Sequence, residues 1–571
     1  MFSINGGYKQ NIESNKKTRP KKVHSIIPLH IFQTWKTTKM PPSMFENVKL
    51  LKKQNPEFTH YIYDDKMCRD FIEKNFHNDV LYSYDKLRPG AYRADLWRYC
   101  VLYINGGIYL DIKFHCVNNF KLIYLTDNEY FVRDRDHCGS IGVYQGFMSC
   151  LPKTKLLKNA IDTIVENVKN NKYGFGELDI TGPHMLNAFF YGPMVHNFEL
   201  GFHGTYITQN DQSIIKEYPQ YRDDQQDLFN NAVILNQHDK YYKTYWNEKD
   251  VYNYPVLHSD QTIDLNKIVT QNIYYKNQPL FAGTPTIIEV PGNQYIVNIR
   301  WVNYSYNDDG SKANIPKQWV SLNSRFVLNS KFQKITKETF LEEQFSNEKN
   351  YLGMGLEDIR IFHYSDRYFY IASYFDERRK LTSISSYFYD IHSKNYKLKR
   401  NIIKPEMYDL DNIKLYEKNW ALFEYKKKIC VVYNWYPLQI GRMYYLKNSM
   451  NVTENKYDMP DFFKEVRGSS CGYQKNDEIW FVAHKAQSYG NEQNNICYHY
   501  QHFFVIFDLD MNLLRYSELF KLGQCKVEFC TGLIVKDDEI ILSYSLMDTQ
   551  SFISIYNMDY IKDKIKWYEH I

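Results

Sequence analysis

The hydrophobic pattern divides the chain into two parts of different period. Up to about residue 260, apolar runs alternate between strand-like and helix-like spacing. VHSIIPLHIFQTW (23–35) reads as an apolar strand ending in Gln33, Thr34 and Trp35, and FTHYIYDD (58–65) as a second strand. MCRDFIEKNF follows, with Cys68, Phe71, Ile72 and Phe76 at helical spacing. AYRADLWRYCVLYIN (91–105) predicts an amphipathic helix, broken at Gly106-Gly107 and followed by a short apolar strand, Ile108–Ile112. TKLLKNAIDTIVENVKNN (154–171) sets Leu157, Ile161, Ile164 and Val168 on one helix face. TGPHMLNAFF (181–190) predicts a helix with Pro183 in its first turn, where a missing N–H does no harm. This alternation predicts a doubly wound α/β domain over 23–268, with ligands at the carboxyl ends of its strands.

Beyond about residue 270 the helical period fades and a hairpin pattern recurs. The copies are PTIIEVPGNQYIVNIRW (285–301), EDIRIFHYSDRYFYIASY (357–374), KNWALFEYKKKICVVYNW (418–435), RGSSCGYQKNDEIWFVAH (467–484) and EFCTGLIVKDDEIILSYS (528–545). Each is a polar entry, an alternating strand, a short polar turn and a strongly apolar strand. Self-similarity of this size predicts an all-β five-bladed β-propeller over 269–571, with a sandwich as the competing architecture. Residues 1–22, with KKTRPKK at 16–22, are expected to form a disordered basic tail rather than a localisation signal.

Composition narrows the class. A chain of 571 residues exceeds one ordinary core, so two domains or more are expected. A net charge of +5 over this length gives no electrostatic reason to expect nucleic acid as a partner. Aromatics reach 17%, with 52 Tyr; such faces suit sugar rings, β-sheets or a plain compositional bias equally. The ten cysteines form no CxxC pair, and those in apolar runs, such as Cys100 and Cys430, read as reduced buried thiols. No apolar run reaches 18 residues and no hydrophobic signal region opens the chain. The expectation is a soluble cytoplasmic protein with no transmembrane segment. The Asn-, Lys-, Ile- and Tyr-rich wording fits an AT-rich genome, such as that of a large DNA virus.

The chemistry concentrates at 91–113. Asp111 ends a strand beside a helix that carries Asp95, an arrangement that presents a hard cation to a diphosphate. Asp95 is assigned to ribose or donor-sugar hydroxyls; Arg98, one turn on, contacts the donor or simply pairs with Asp95. Lys113 stands where a second acid is expected. Either its ammonium meets the donor phosphate and replaces part of a metal's charge, or His115 approaches the cation, or the site binds metal weakly. Asp134 and Asp136 form a rival acidic pair, or a charged loop.

IPLHIFQTWK, the NP at 55–56, RADLWRYCVLYINGGIYLD and the TGP at 181–183 resemble glycosyltransferase family 32, which includes the yeast initiating mannosyltransferase and bacterial capsular sugar transferases. The resemblance implies a GT-A domain, a UDP- or GDP-sugar donor, a glycan or glycosylated acceptor, Mn²⁺ or Mg²⁺, and retention of configuration. It places Gln33, Thr34 and Trp35 beside the nucleotide, with Arg98, Gly106, Gly107, Tyr109, Thr181 and Gly182 in the donor site. Asp95, Asp111 and Lys113 become the catalytic set. Asp111 becomes a metal ligand, and the family's late histidine maps to His258 in YPVLHSD, whose other reading is an ordinary loop histidine.

The repeats carry their own polar signals. Glu357, Asp358 and Arg360, then Glu417, Lys418 and Asn419, then Arg467, then Glu528 open copies, while Arg300 and His484 close inner strands. In a propeller these positions converge near the axis, as a ligand site or as a salt-bridged structural core. GLEDIR, EKNW, RGSS and EFCTGL resemble, more weakly, five-bladed mannoside phosphorylases and related glycosidases, whose chemistry needs two carboxylates or one plus phosphate. Three arrangements follow: a transferase with a glycan-binding or glycan-processing propeller, an inactive transferase beside an active glycosidase or phosphorylase, or a lectin-like adaptor.

Overall fold

A computed structural model describes residues 24–134, 142–190, 200–203, 205–209, 211–234, 240–343, 353–376, 381–393, 396–399, 401–406, 417–452, 459–491 and 493–570. The expected basic tail and Asp136 lie outside the described residues. The chain divides into two compact units, one of residues 1–166 and 174–240, the other of 167–173 and 241–571. The division therefore falls at 240/241 rather than at the expected 268. Residues 241–268 join the second unit because strand Gln261–Asp264 pairs antiparallel with Gln550–Asn557.

The first unit is built on a nine-stranded mixed sheet. Near one edge lies β1 (His30–Thr34), flanked in parallel by the edge strand β2 (Thr59–Tyr63) and by β3 (Gly107–Leu110). The expected strand at 23–35 is thus real only over His30–Thr34, one residue short of Trp35. Helices α1 (Pro42–Gln54), α2 (Asp65–Asn75), α3 (Asn78–Lys86) and α4 (Gly90–Asn105) precede β3. α2 is capped by Asp64, whose side chain accepts from the N–H of Met67, one of the donors a helix start leaves unsatisfied. α4 stops at Gly106, whose φ of +62° disfavours other residues, and its N–H closes on Leu102 O at 2.8 Å. Gly107, at φ +108°, starts β3 against β1, where an added Cβ would meet His30 O at 2.8 Å.

The sheet continues antiparallel from β3 to β4 (Val143–Cys150) and β5 (Tyr130–Arg133). Ile31, Ile108, Leu110 and Phe147 are fully buried in its core. Each such side chain is worth roughly 1.5–3 kcal/mol relative to exposure. Leu157, Ile161, Ile164 and Val168 are buried on helix Lys155–Lys169, and Pro183 opens a short helix, Pro183–Asn187.

The second unit is all-β apart from short helical pieces, and the five expected hairpins are present. They are Phe281–Val290 with Gln294–Val302, Glu357–Tyr364 with Arg367–Asp376, Ala421–Tyr425 with Lys428–Trp435, Tyr473–Lys475 with Glu478–Gly490, and Glu528–Val535 with Glu539–Leu546. Each extends into an antiparallel meander. Five apolar clusters lie between successive meanders: Ile296 with Tyr370, Ile371 with Leu422, Phe423 with Phe481, and Val482 with Leu542 belong to the first four. The fifth joins Val297 of the first meander to Ile541 of the last. Among the described residues, no helix is long and apolar enough to cross a membrane.

Candidate functional site

In the first unit, β3 ends at Leu110 and delivers Asp111, whose N–H donates to Gly146 O at 2.8 Å. Gln33, fully buried on β1, donates its amide to the Asp111 carbonyl at 3.3 Å. Its other amide atom, Oε1, lies 2.8 Å from His60 Nε2, so that imidazole nitrogen carries the hydrogen. Burial and the Lys52 charge pull His60 down to about 4, which keeps the ring neutral. Thr34 donates to Tyr63 O at 3.0 Å, and half-buried Trp35 packs against the cluster of Met44, Val48, Ile112 and Tyr218. Gln33 and Thr34 therefore act as supports of the strand ends and Trp35 as part of a wall.

The Asp111 carboxylate is crowded. Oδ1 accepts from the Tyr109 hydroxyl at 3.1 Å and lies 3.9 Å from Arg98 Nη2. Oδ2 accepts from the Tyr144 hydroxyl at 3.3 Å and lies 3.9 Å from Lys113 Nζ. Arg98 stacks over the Tyr109 ring at 4.5 Å and reaches Asp95 Oδ1 at 3.4 Å. Asp95, 7% exposed on α4, accepts from the Thr181 hydroxyl at 2.7 Å. Burial raises its carboxyl to about 6, against the opposing pull of Arg98 and the Thr181 hydrogen bond. Thr181 is held in turn by its carbonyl, which accepts from Tyr99 at 3.2 Å and Gln145 at 2.9 Å. Gly182 follows in a tight approach, where an added Cβ would lie 2.9 Å from Leu178 O. Asp95, Arg98, Tyr109, Asp111, Lys113 and Thr181 thus form one contiguous cluster, with Gly106 and Gly107 setting the start of its strand.

Lys113 also reaches Glu217 Oε2 at 3.8 Å, and Glu217 Oε1 accepts from Arg222 Nε at 3.0 Å. Tyr144 and Glu217 were not foreseen. Neither sits in a recognisable local pattern, and only the sheet brings them to Asp111 and Lys113. His115 faces Lys216 across an antiparallel pair, and Asp134 donates its N–H to Gly142 O at 2.9 Å. His258 belongs to the second unit, exposed, with its N–H on the Tyr560 hydroxyl at 3.0 Å. Among the described residues, no group of three His, Cys, Asp or Glu converges to hold a metal.

Residues 41–131 match a family model described as a glycosyltransferase sugar-binding region containing a DXD motif. Inositol phosphoceramide mannosyltransferase 2 of Schizosaccharomyces pombe is 30% identical over 146 residues, 25% of this chain and 40% of that protein. The initiation-specific alpha-1,6-mannosyltransferase of Candida albicans is 32% identical over 92 residues, 15% of this chain and 24% of that protein. The chain therefore spans less than half the length of these relatives. A solved beta-1,2-mannobiose phosphorylase from Listeria innocua is 13% identical, with a TM-score of 0.36, covering 53% of this chain and 99% of that one. At its motif position the sugar-binding region reads Asp111-Ile112-Lys113.

The second unit holds a cavity of about 510 Å³ lined from all five meanders. Arg300 comes from the first, Glu357 and Asp358 from the second, Lys418 and Asn419 from the third, Arg467 from the fourth and Asp548 from the fifth. Tyr304, Trp319, Tyr500 and Phe529 supply aromatic wall. Arg300 pairs with Asp358 at 2.8 Å and Glu357 at 3.7 Å, and Lys418 reaches Glu357 at 3.3 Å. Burial would raise Glu357, but Lys418, Arg300 and Lys312 hold it down at about 2. Asp548 moves the other way: burial, reinforced by Asp358, raises it despite Arg300. Asp358, Asn419 and Asp548 all sit at positive φ (+53°, +64° and +52°), strained backbone that aims short polar side chains inward.

Four predicted residues stand behind this lining instead of in it. Arg360, 2% exposed, donates to the Ser469 carbonyl and to Asn419 Oδ1 at 3.1 Å. His484 lies 2.8 Å from Ser469 Oγ, and burial lowers its pKa well below the usual range. Glu528 is fully buried, accepting from the N–H groups of Leu522 and Gly523 at 2.9 and 3.0 Å, with His502 Nδ1 at 3.2 Å. It is a structural anchor for its loop. Glu417 likewise accepts from Trp420 and Tyr433, both at 2.9 Å. Asp548 was missed because it lies in the turn after the hairpin copy, at a position that none of the polar entries marks.

Proposed function

We propose that the first unit transfers a sugar from a nucleotide-sugar donor to a glycan or glycosylated acceptor. The observation that supports this reading most is the cluster itself. Asp95, Arg98, Asp111 and Lys113 converge at the carboxyl end of a parallel strand within a sequence that matches a sugar-binding region. Asp95 meets hydroxyls of ribose or donor sugar, and the cations meet the diphosphate. Reaction with retention needs no protein nucleophile if the departing phosphate guides the acceptor to the same face. The relatives' names make mannose the first sugar to test. Purified protein is incubated with a panel of UDP- and GDP-sugars, and nucleotide release is measured. Absence of release with every donor, with donor binding unaffected by Asp111→Ala, sinks the reading.

A second reading concerns the other unit and is favoured by a separate observation. Five meanders, closed through a shared apolar cluster, direct carboxylates and cations into one aromatic-walled cavity. We read the meanders as the blades of a five-bladed propeller that binds or processes glycan. Glu357 is held ionised and Asp548 is pushed toward the neutral acid, the split that acid–base chemistry uses. Manno-oligosaccharide with and without phosphate is the test: turnover lost in Asp548→Asn points to an enzyme, binding without turnover to a lectin-like module.

A further inference from the structure

A divalent cation that presents a diphosphate requires several oxygen ligands of net negative charge with positions left open for phosphate. The residues at Asp111 do not fit this requirement. Both carboxylate oxygens already accept a tyrosine hydroxyl, and each has a side-chain cation at 3.9 Å, Arg98 on one and Lys113 on the other. Among the described residues the other carboxylates in reach are Asp95, which Arg98 holds at 3.4 Å, and Glu217, 5% exposed, with the Lys113 ammonium between it and Asp111. Glu217's second oxygen is occupied by Arg222. A metal ion bound here would have to displace an ammonium and sit beside a guanidinium.

Lys113 is, moreover, confined. Its Nζ lies 4.9 Å from the Phe114 ring centroid, 5.6 Å from that of Tyr221 and 5.9 Å from that of Tyr144. Two carboxylates face it, three rings limit its travel, and 16% of its side chain remains open to an incoming ligand. A positive charge fixed in this way needs no reorganisation when a phosphate arrives.

We propose that Lys113 is a built-in counter-charge for the donor diphosphate, and that sugar transfer by this unit proceeds without a divalent metal. This rests on the transferase reading. In the step, the bond from the anomeric carbon to the β-phosphate oxygen breaks and its electron pair leaves with that oxygen. The acceptor oxygen bonds to the anomeric carbon, and the acceptor's proton passes to the departing phosphate. The Lys113 ammonium keeps its proton throughout and balances the charge that accumulates on the nucleotide.

Isothermal titration of the full chain with UDP- and GDP-sugars, in EDTA and in Mn²⁺, separates the possibilities. The bound donor is expected to have the same affinity within about threefold in both buffers. Lys113→Met is expected to weaken it at least thirtyfold in either, with an unchanged melting temperature as the check on folding, and Lys113→Arg to recover most of the loss. Lys113→Asp, which restores the acidic pair, is expected to bind Mn²⁺ alone, seen as loss of the free-ion electron paramagnetic resonance signal, while the unaltered protein leaves that signal intact. A donor that binds the unaltered protein only in Mn²⁺, or a Mn²⁺ signal lost with the unaltered protein, overturns the counter-charge role and leaves the transferase standing. A donor that fails to bind under every condition overturns the transferase reading and this one with it.

Discussion

The Thr181 hydroxyl donates to the buried carboxylate of Asp95 across 2.7 Å, tying the turn that leads into helix Pro183–Asn187 to α4. This bond favours the ionised form of an acid that burial has raised to about 6. We expect Thr181→Val, nearly isosteric, to raise Asp95 further. The pH midpoint of donor affinity should move upward, and affinity near pH 6 should fall by about 1 kcal/mol, roughly fivefold. Titration calorimetry between pH 5 and 8 measures both, and an unmoved midpoint would show that Asp95 does not meet the donor.

Asp95 also sets a pH dependence of stability. Its folded value of about 6 exceeds the ordinary 3.8, so the folded chain holds a proton that the unfolded chain releases in between. That contribution is complete below about 3.8 and is lost as pH rises through about 6, a difference of about 3 kcal/mol. Asp95→Asn, which cannot ionise, should therefore gain in melting temperature relative to the unaltered protein as pH climbs from 4 to 7, while losing donor binding. A gap that is constant with pH would remove the carboxyl from this role.

In the second unit the sign is opposite. Glu357 is held at about 2 against an ordinary 4.5, first against burial and chiefly by Lys418. Its stabilising contribution is present above about 4.5 and disappears as pH falls through about 2. We expect Lys418→Met, a half-exposed partner screened by solvent, to lower stability by up to about 1 kcal/mol at pH 7, with the deficit shrinking toward pH 2. Urea midpoints across that range decide it.

Glu528 should behave as structure rather than chemistry. Glu528→Gln places an amide against two backbone N–H donors and His502, leaving buried groups unsatisfied. A loss of about 2–3 kcal/mol is expected in the thermal transition of the second unit, with cavity ligands bound normally at low temperature. Unchanged stability would return Glu528 to the list of cavity candidates.

What was legible in the sequence follows from how local each feature is. α4, the Gly106-Gly107 break and Asp111 are all encoded within one continuous stretch, where helical spacing ends at residues that tolerate positive φ. The hairpins were legible for the same reason, since alternation and turns lie within about twenty residues. Helix α1 went unread although its apolar positions, Met44, Val48 and Leu51, stand at helical spacing. Glu217 and Tyr144 were invisible because their roles arise only from strand pairing far along the chain. Glu528 was marked and lies behind the cavity, while Asp548 was not marked and lines it: polarity at a strand entry cannot tell a group facing the cavity from one receiving buried N–H bonds behind it.

The pairing of Gln261–Asp264 with Gln550–Asn557 has a kinetic consequence. Thr262 and Ser554 share a hydrogen bond at 2.9 Å although 292 positions separate them. The edge strand of the last meander is thus synthesised before the first meander, and the other three strands of that meander come only after the first four hairpins. Contacts of such sequence separation pay their loop-closure entropy late, which slows folding. Until that edge is zipped, one flank of the second unit presents unpaired backbone groups, so the interval between synthesis and closure is when this protein is most open to pairing with the wrong strand.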